Sequence, residues 1–176
     1  GFSSVILKGI DGPINETQEQ DVQQIHNAGQ HLLGLINNVL DLSKIEADKM
    51  QLTLNRVDLH SIIHEVVEIA DALIKQKPVE LLVDIPEDIP MIEADSTRVR
   101  QVLLNLISNA VKFTDKGQIG IFVRAFPTEA VEEILISVVD TGIGITPEDQ
   151  LKLFQPFSQI QDTASRPGSG TGLGLS

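Results

Sequence analysis

The sequence predicts an α+β chain: an antiparallel helical hairpin, half of a dimeric four-helix bundle, followed by an α/β sandwich with a mixed sheet and helices on one face. Three observations predict it. Val22, Ile25, Leu32, Ile36 and Val39, with Gly29 between, recur at steps of 3, 4, 3, 4, 3, the seam of a helix that packs on other helices. After Glu46-Ala47-Asp48 the period changes: Leu52 and Leu54 alternate with Thr53 and Asn55. The elements that follow run β-α-β-(β)-α-β-β, which is not the regular alternation of a doubly wound parallel sheet.

Residues 2 to 7 read as the end of an apolar helix, closed by Lys8-Gly9 and the Asp11-Gly12-Pro13 turn. A second helix starts near Thr17 or Glu19, and Leu33 and Leu40 widen its seam to a broad stripe. Two helices alone cannot bury such a stripe, so the hairpin is expected either to dimerise or to pack on the rest of the chain. A strand ends at Val57. Asp58 caps a helix carrying Leu59, Ile62, Ile63, Val66, Ile69 and Leu73, stopped by Lys77-Pro78. A strand over Val79 to Asp84 follows, then a short apolar piece at Met91-Ile92 and a capped helix from Ser96 to Phe113. Two β-rich runs, Gln118 to Phe126 and Glu133 to Asp140, come next. The expected division is 1–52 for the hairpin and 53–176 for the sandwich.

Composition limits the function classes. With 13 basic and 25 acidic side chains the formal charge is −12, which disfavours a nucleic-acid backbone as partner. Residues 1 to 56 carry 4 basic and 7 acidic side chains, residues 57 to 176 carry 9 and 18. The absence of cysteine rules out disulfides, thiolate metal sites and thiol nucleophiles. All the aromatic residues are the 6 Phe, too few for a base-stacking platform. No run of 18 apolar residues and no signal peptide occurs, so a soluble, cytoplasmic piece without membrane contact is expected. The Gly1-Phe2 start and the Leu175-Ser176 stop read as a piece truncated at both ends.

Four clusters carry chemistry. On the helix ending at Phe113, Asn105, Asn109 and Lys112 fall within a sector of roughly 60°, with Val102, Leu103, Leu106, Ile107 and Ala110 opposite. Two amides and a cation suit a hydrated magnesium-phosphate group; a solvated helix face is the other reading. In Val138-Val139-Asp140-Thr141-Gly142-Ile143-Gly144 an apolar strand delivers a carboxylate into a glycine turn. A buried carboxylate there would accept a hydrogen bond from the exocyclic amine of adenine, or Asp140 simply caps a tight turn. Phe154 and Phe157 either anchor a loop hinge or plug the core. Gly168 to Gly174 is glycine-rich but follows a polar, loop-like stretch, which fits a lid closing over phosphates better than a dinucleotide fold.

The order and spacing of these clusters, Asn-x-x-x-Asn, Asp-x-Gly-x-Gly, the Phe pair and Gly-x-Gly-x-Gly, resemble the catalytic core of sensor histidine kinases of two-component systems: the N box, first glycine box, F box and second glycine box. Upstream, Asn37-Asn38-Val39-Leu40-Asp41-Leu42-Ser43-Lys44-Ile45-Glu46-Ala47 resembles the second helix of that family's dimerisation and phosphotransfer hairpin. The resemblance implies the sandwich shared with gyrase, the ninety-kilodalton heat-shock chaperones and mismatch-repair ATPases, with ATP and Mg²⁺ as ligands. It implies Asn109 as the magnesium ligand, Asn105 and Lys112 on phosphates, and Asp140 on the adenine amine with Gly142 and Gly144 shaping the pocket. Gly170, Gly172 and Gly174 would line the phosphate side, and Thr171 would reach adenine through water.

The ATPases of that fold place a Glu four positions before the metal-binding Asn as the base that activates water; Asn105 stands there and takes no proton, which argues for transfer to a protein nucleophile. The family's acceptor His belongs to a box on the first hairpin helix, and none of His26, His31, His60 and His64 sits in such a box. This stretch is therefore expected not to phosphorylate itself, while its parent moves the γ-phosphoryl of ATP to a His and then to an Asp of a response regulator. The competing expectation is a catalytically inactive dimeric scaffold that only binds adenine nucleotide. His60 and His64, an i, i+4 pair beside Glu65, are the one arrangement resembling a metal site outside the boxes.

Overall fold

The computed structural model describes residues 1–10, 12–127, 132–151 and 153, except for the side chains of Pro127 and Glu132. These residues divide into two compact units, Gly1–Met50 and one that begins at Gln51.

In the first unit α1 (Phe2–Leu7) packs on α2 (Glu16–Glu46). The start of α2 is a reciprocal capping box: Asn15 Oδ1 accepts the Gln18 N–H at 2.9 Å, and Gln18 Oε1 accepts the Asn15 N–H at 3.0 Å. Its end is a Schellman closure, with the Lys49 N–H donating to the Lys44 carbonyl and the Asp48 N–H to that of Ile45. Asp48 takes the left-handed position at φ 54° that glycine usually fills. The Ser3 hydroxyl and His26 Nδ1 meet at 3.1 Å between the helices. No residue of α2 is buried, and Ile25, Leu32 and Ile36 of the seam stay exposed.

The second unit holds two sheets. β1 (Asn55–Val57) and β3 (Ile92–Ala94) pair antiparallel with Val57 opposite Ile92. The strand expected from Leu52 is shorter than its alternation suggests, because β3 offers only three partners and the Thr53 N–H donates to the Asp95 carboxylate at 3.0 Å instead. The main sheet runs β2 (Val79–Asp84), β4 (Gly117–Pro127), β5 (Glu132–Asp140). β2 and β4 are parallel, joined by a crossover through α4, and β4 and β5 antiparallel. Ile119, Ile121 and Val123 of the central strand are buried against α3 (Leu59–Ile74) and α4 (Ser96–Phe113).

Both helices begin where the sequence places them, on Asp58 and Asp95. Their buried faces differ in part from the expected stripes. α3 buries Leu59, Ile62, Ile63, Val66, Ala70 and Ile74, while Ile69 and Leu73 stay exposed. Ile69 lies about 80° from the centre of that stripe, beyond the reach of the sheet; nothing explains Leu73. α4 buries Leu103, Ile107, Ala110 and Val111, with Val102 57% exposed. Arg100 of α4 reaches Glu65 of α3 at 2.9 Å across the outer surface. One turn of helix that no periodicity announces, α5 (Pro147–Gln150), is capped by the Thr146 hydroxyl.

Hydrogen bonds to carboxylates make the second unit acid-sensitive. The Thr53 N–H first, then those of Arg98 and Thr97, hold the Asp95 carboxyl below its ordinary 3.8. The Ser61 hydroxyl, followed by the His60 and Ser61 amides, does the same for Asp58. A depressed native value means that the stabilisation is complete above the unfolded value and disappears as pH falls through the native one. Thermal melts are expected to be flat from pH 7 to about 5 and to fall below about pH 4. Asp95→Asn keeps an acceptor but no charge, so its melting temperature should be lower at pH 7 and its acid slope shallower; an unchanged slope would refute the assignment. Ile63→Ala, at a fully buried position, should cost about 3 kcal/mol in urea denaturation.

Candidate functional site

The site grows from the two-faced helix α4. Its apolar side is held by the core, which leaves Asn105, Asn109 and Lys112 half-buried on the other side. The Lys112 ammonium lies 4.9 Å from the centroid of the Phe113 ring, an attraction between a cation and the negative face of the ring.

The end of α4 meets the turn after β5. A Cβ at Gly142 would overlap the Phe113 carbonyl oxygen and stand 2.8 Å from an Asp140 carboxylate oxygen, so the backbones approach as only glycine permits. The Gly142 N–H donates to Asp140 Oδ1 at 2.8 Å, which orients the carboxylate and leaves it further lone pairs. Asp140 is exposed, not buried as its apolar strand suggests: it is the last residue of β5, beyond the part that the helices cover. Gly144 takes φ +72°. Thr141 ties the turn to β4. Its hydroxyl accepts the Gln118 N–H at 2.9 Å, and its own N–H donates to the Gln118 carbonyl at 3.1 Å. It also crowds Gly117, which sits at φ +113° with no room for a side chain.

Thus the structure brings the Lys112 end of α4 to the Asp140–Gly142 turn, with Asn109 and Asn105 one and two turns further back along the helix. Gly170, Thr171, Gly172 and Gly174 lie outside the described residues, as do Phe154 and Phe157.

Two groups at this junction escaped the sequence reading. Lys77, read only as a helix stop, donates from Nζ to the carbonyls of Val111 at 2.5 Å and Thr114 at 3.0 Å. Thr114 is fully buried, and its hydroxyl has no partner among the described residues. No periodicity signals either, since both depend on contacts distant in sequence.

Among the described residues no three His, Asp or Glu side chains form a metal cluster. His60 and His64 stack at 4.9 Å between ring centroids, and His60 Nε2 lies 3.2 Å from the Pro86 carbonyl. Asn109 offers magnesium a single neutral oxygen. That fits an ion that keeps several waters and takes its remaining ligands from phosphates.

Known proteins resemble this chain in sequence and in fold. The family model of the histidine kinase-, DNA gyrase B-, and HSP90-like ATPases matches residues 94–176. That of the His Kinase A (phospho-acceptor) domain matches residues 1–48. The circadian input-output histidine kinase CikA of Synechococcus elongatus is 38% identical over 177 residues, 99% of this chain and 23% of CikA. The chain spans less than a quarter of the length of the curated relatives it matches. Full-length ShkA in complex with AMPPNP superposes with a TM-score of 0.73 at 31% identity, over 98% of this chain and 35% of ShkA. The catalytic domain of histidine kinase ThkA does so with a TM-score of 0.56 at 32% identity, over 72% of this chain and 77% of that domain. With both family models matched and a histidine kinase catalytic domain covered over 77% of its length at 32% identity, the chain belongs to the sensor histidine kinase family.

Proposed function

We propose that this chain is the ATP-binding kinase core of a sensor histidine kinase, with residues 1–52 as dimerising hairpin and 53–176 as catalytic domain. The observation that carries the reading is the closure of the Asp140–Gly142 turn on the Lys112 end of α4. On this reading an adenine acceptor and a phosphate-facing polar stripe would share one framework. Asp140 would accept from the adenine amine, with Gly142 and Gly144 giving the planar base access to the backbone. Asn105 and Lys112 would hold phosphate oxygens and Asn109 the metal. Magnesium, when bound, neutralises charge on the β- and γ-phosphates. The roles of Gly170, Thr171, Gly172 and Gly174 rest on the family pattern.

In the parent reaction a histidine nitrogen attacks the γ-phosphorus, the bond to the β–γ bridging oxygen breaks, and ADP leaves. The phosphoryl group then passes to an aspartate of a response regulator. Asn105, in the position where a water-activating base would stand, supports transfer over hydrolysis. The exposed Ile25, Leu32 and Ile36 row supports a second copy of the hairpin as partner. The relatives named histidine kinases support the activity; the use of ATP as phosphoryl donor supports a cytoplasmic setting. No helix among the described residues is long and apolar enough to cross a membrane.

Calorimetry with MgATP should show one site per chain. Asp140→Asn should weaken it by at least about tenfold, about 1.4 kcal/mol. Mixed with a histidine-bearing hairpin from a family member, the chain should produce acid-labile, base-stable phosphate on that hairpin and none on itself. Binding without transfer would instead establish the adenylate-sensing scaffold. Gly142→Ala should abolish measurable binding because the turn must leave the Phe113 carbonyl. At Gly144 only the positive φ is at stake, so Gly144→Asn should bind better than Gly144→Ala.

A further inference from the structure

We propose that Lys77 is a positioning residue for the nucleotide: its ammonium clamps the last turn of α4 and so sets Lys112 and the Phe113 carbonyl against the Asp140–Gly142 turn. The proposal rests on the nucleotide-binding reading above.

The last carbonyls of a helix have no partners inside it. In α4 two carbonyls at this end, those of Val111 and Thr114, receive one ammonium at 2.5 and 3.0 Å. The Lys77 side chain is only 26% exposed, so these charged hydrogen bonds are partly withdrawn from water. Asp115, at 3.7 Å, is 77% exposed and adds little. Lys77 is itself anchored. Its N–H donates to the Ile74 carbonyl at 2.7 Å, and the carbonyl of the next residue, Pro78, receives the Gly117 N–H at 3.1 Å. One short connection between α3 and β2 therefore holds both the end of α4 and the start of β4.

Two consequences follow for a bound anion. A helix C-terminus carries partial negative charge, which repels phosphates; the Lys77 ammonium on its carbonyls offsets that charge. The clamped turn also carries Lys112 and presses the Phe113 carbonyl against Gly142. A shift of about 1 Å at such a contact is enough to cost a large factor in a positioned site. Lys77 touches neither base nor phosphate in this scheme; it acts through α4.

The test uses the 176-residue chain and MgATP calorimetry, well below the melting temperatures of all variants. Lys77→Met should raise Kd about tenfold, and Lys77→Arg, which still donates to both carbonyls, should stay within about threefold of the unsubstituted chain. Asp58→Ala, a cap loss at the far end of α3, serves as a stability control and should leave Kd unchanged. Amide exchange should quicken at Thr114 and Gly117 in Lys77→Met alone. The proposal is overturned if Lys77→Met binds within twofold of the unsubstituted chain, or if Asp58→Ala weakens binding equally. An unsubstituted chain that does not bind MgATP overturns the nucleotide reading itself, a result distinct from either.

Discussion

Between the Phe113 carbonyl and the backbone of residue 142 there is no space for a side chain, and this close approach is what joins a helix to a strand end across the sandwich. α4 is held from one side by Leu103, Ile107, Ala110 and Val111 in the core. The turn after β5 is held by Thr141 against Gln118 of β4. Each is secured independently, so the contact between them is a consequence of two rigid supports. On the proposed reading, a nucleotide that needs an acceptor for its base and a cationic, amide-bearing surface for its phosphates would find both on these supports.

Charge works against this assignment at long range and for it at short range. Residues 57 to 176 carry 18 acidic and 9 basic side chains, so the mean field around the sandwich repels a polyanion. On the proposed reading, an anion site would then depend on groups within a few ångströms: Lys112, backbone amides, a metal ion with its own charge, and the lysine that would quiet the end of α4. The exposed ion pairs, Arg124 with Asp84 at 2.6 Å and Arg100 with Glu65 at 2.9 Å, contribute little to this or to stability.

The hairpin presents the opposite problem. α2 runs 31 residues, has strong closures at both ends, and buries none of its apolar residues. Caps and propensity alone leave such a helix marginal in water, because most helical stability comes from packing an apolar face. The seam at Ile25, Leu32 and Ile36 therefore requires a covering surface, which another copy of the same hairpin would supply by symmetry.

Much of the fold was legible in local pattern. β2 and α4 have the bounds that periodicity and the Asp95 cap predict, and α3 starts on Asp58 as expected. The residue types of the site were legible in the same way, because amides and lysine at steps of four and three share a helix face whatever surrounds them. Local pattern failed where a distant partner decided. Thr53 left the strand for Asp95, 42 residues away. Val102, taken with the apolar face of α4, faces water because at about 100° per residue it lies roughly 20° from Asn109 on the polar side, and Leu73 is exposed with no structural explanation. Asp140 followed an apolar strand and still emerged exposed.

By itself, then, the sequence determined the elements, their caps and the order of its motifs, all of which depend on residues a few positions apart. Only the tertiary structure decided which flank of each stripe is covered and that Gly142 must lack a side chain. It alone set Lys77 on a carbonyl 34 residues downstream. Those outcomes arise when separate elements pack, and no period along the chain records them.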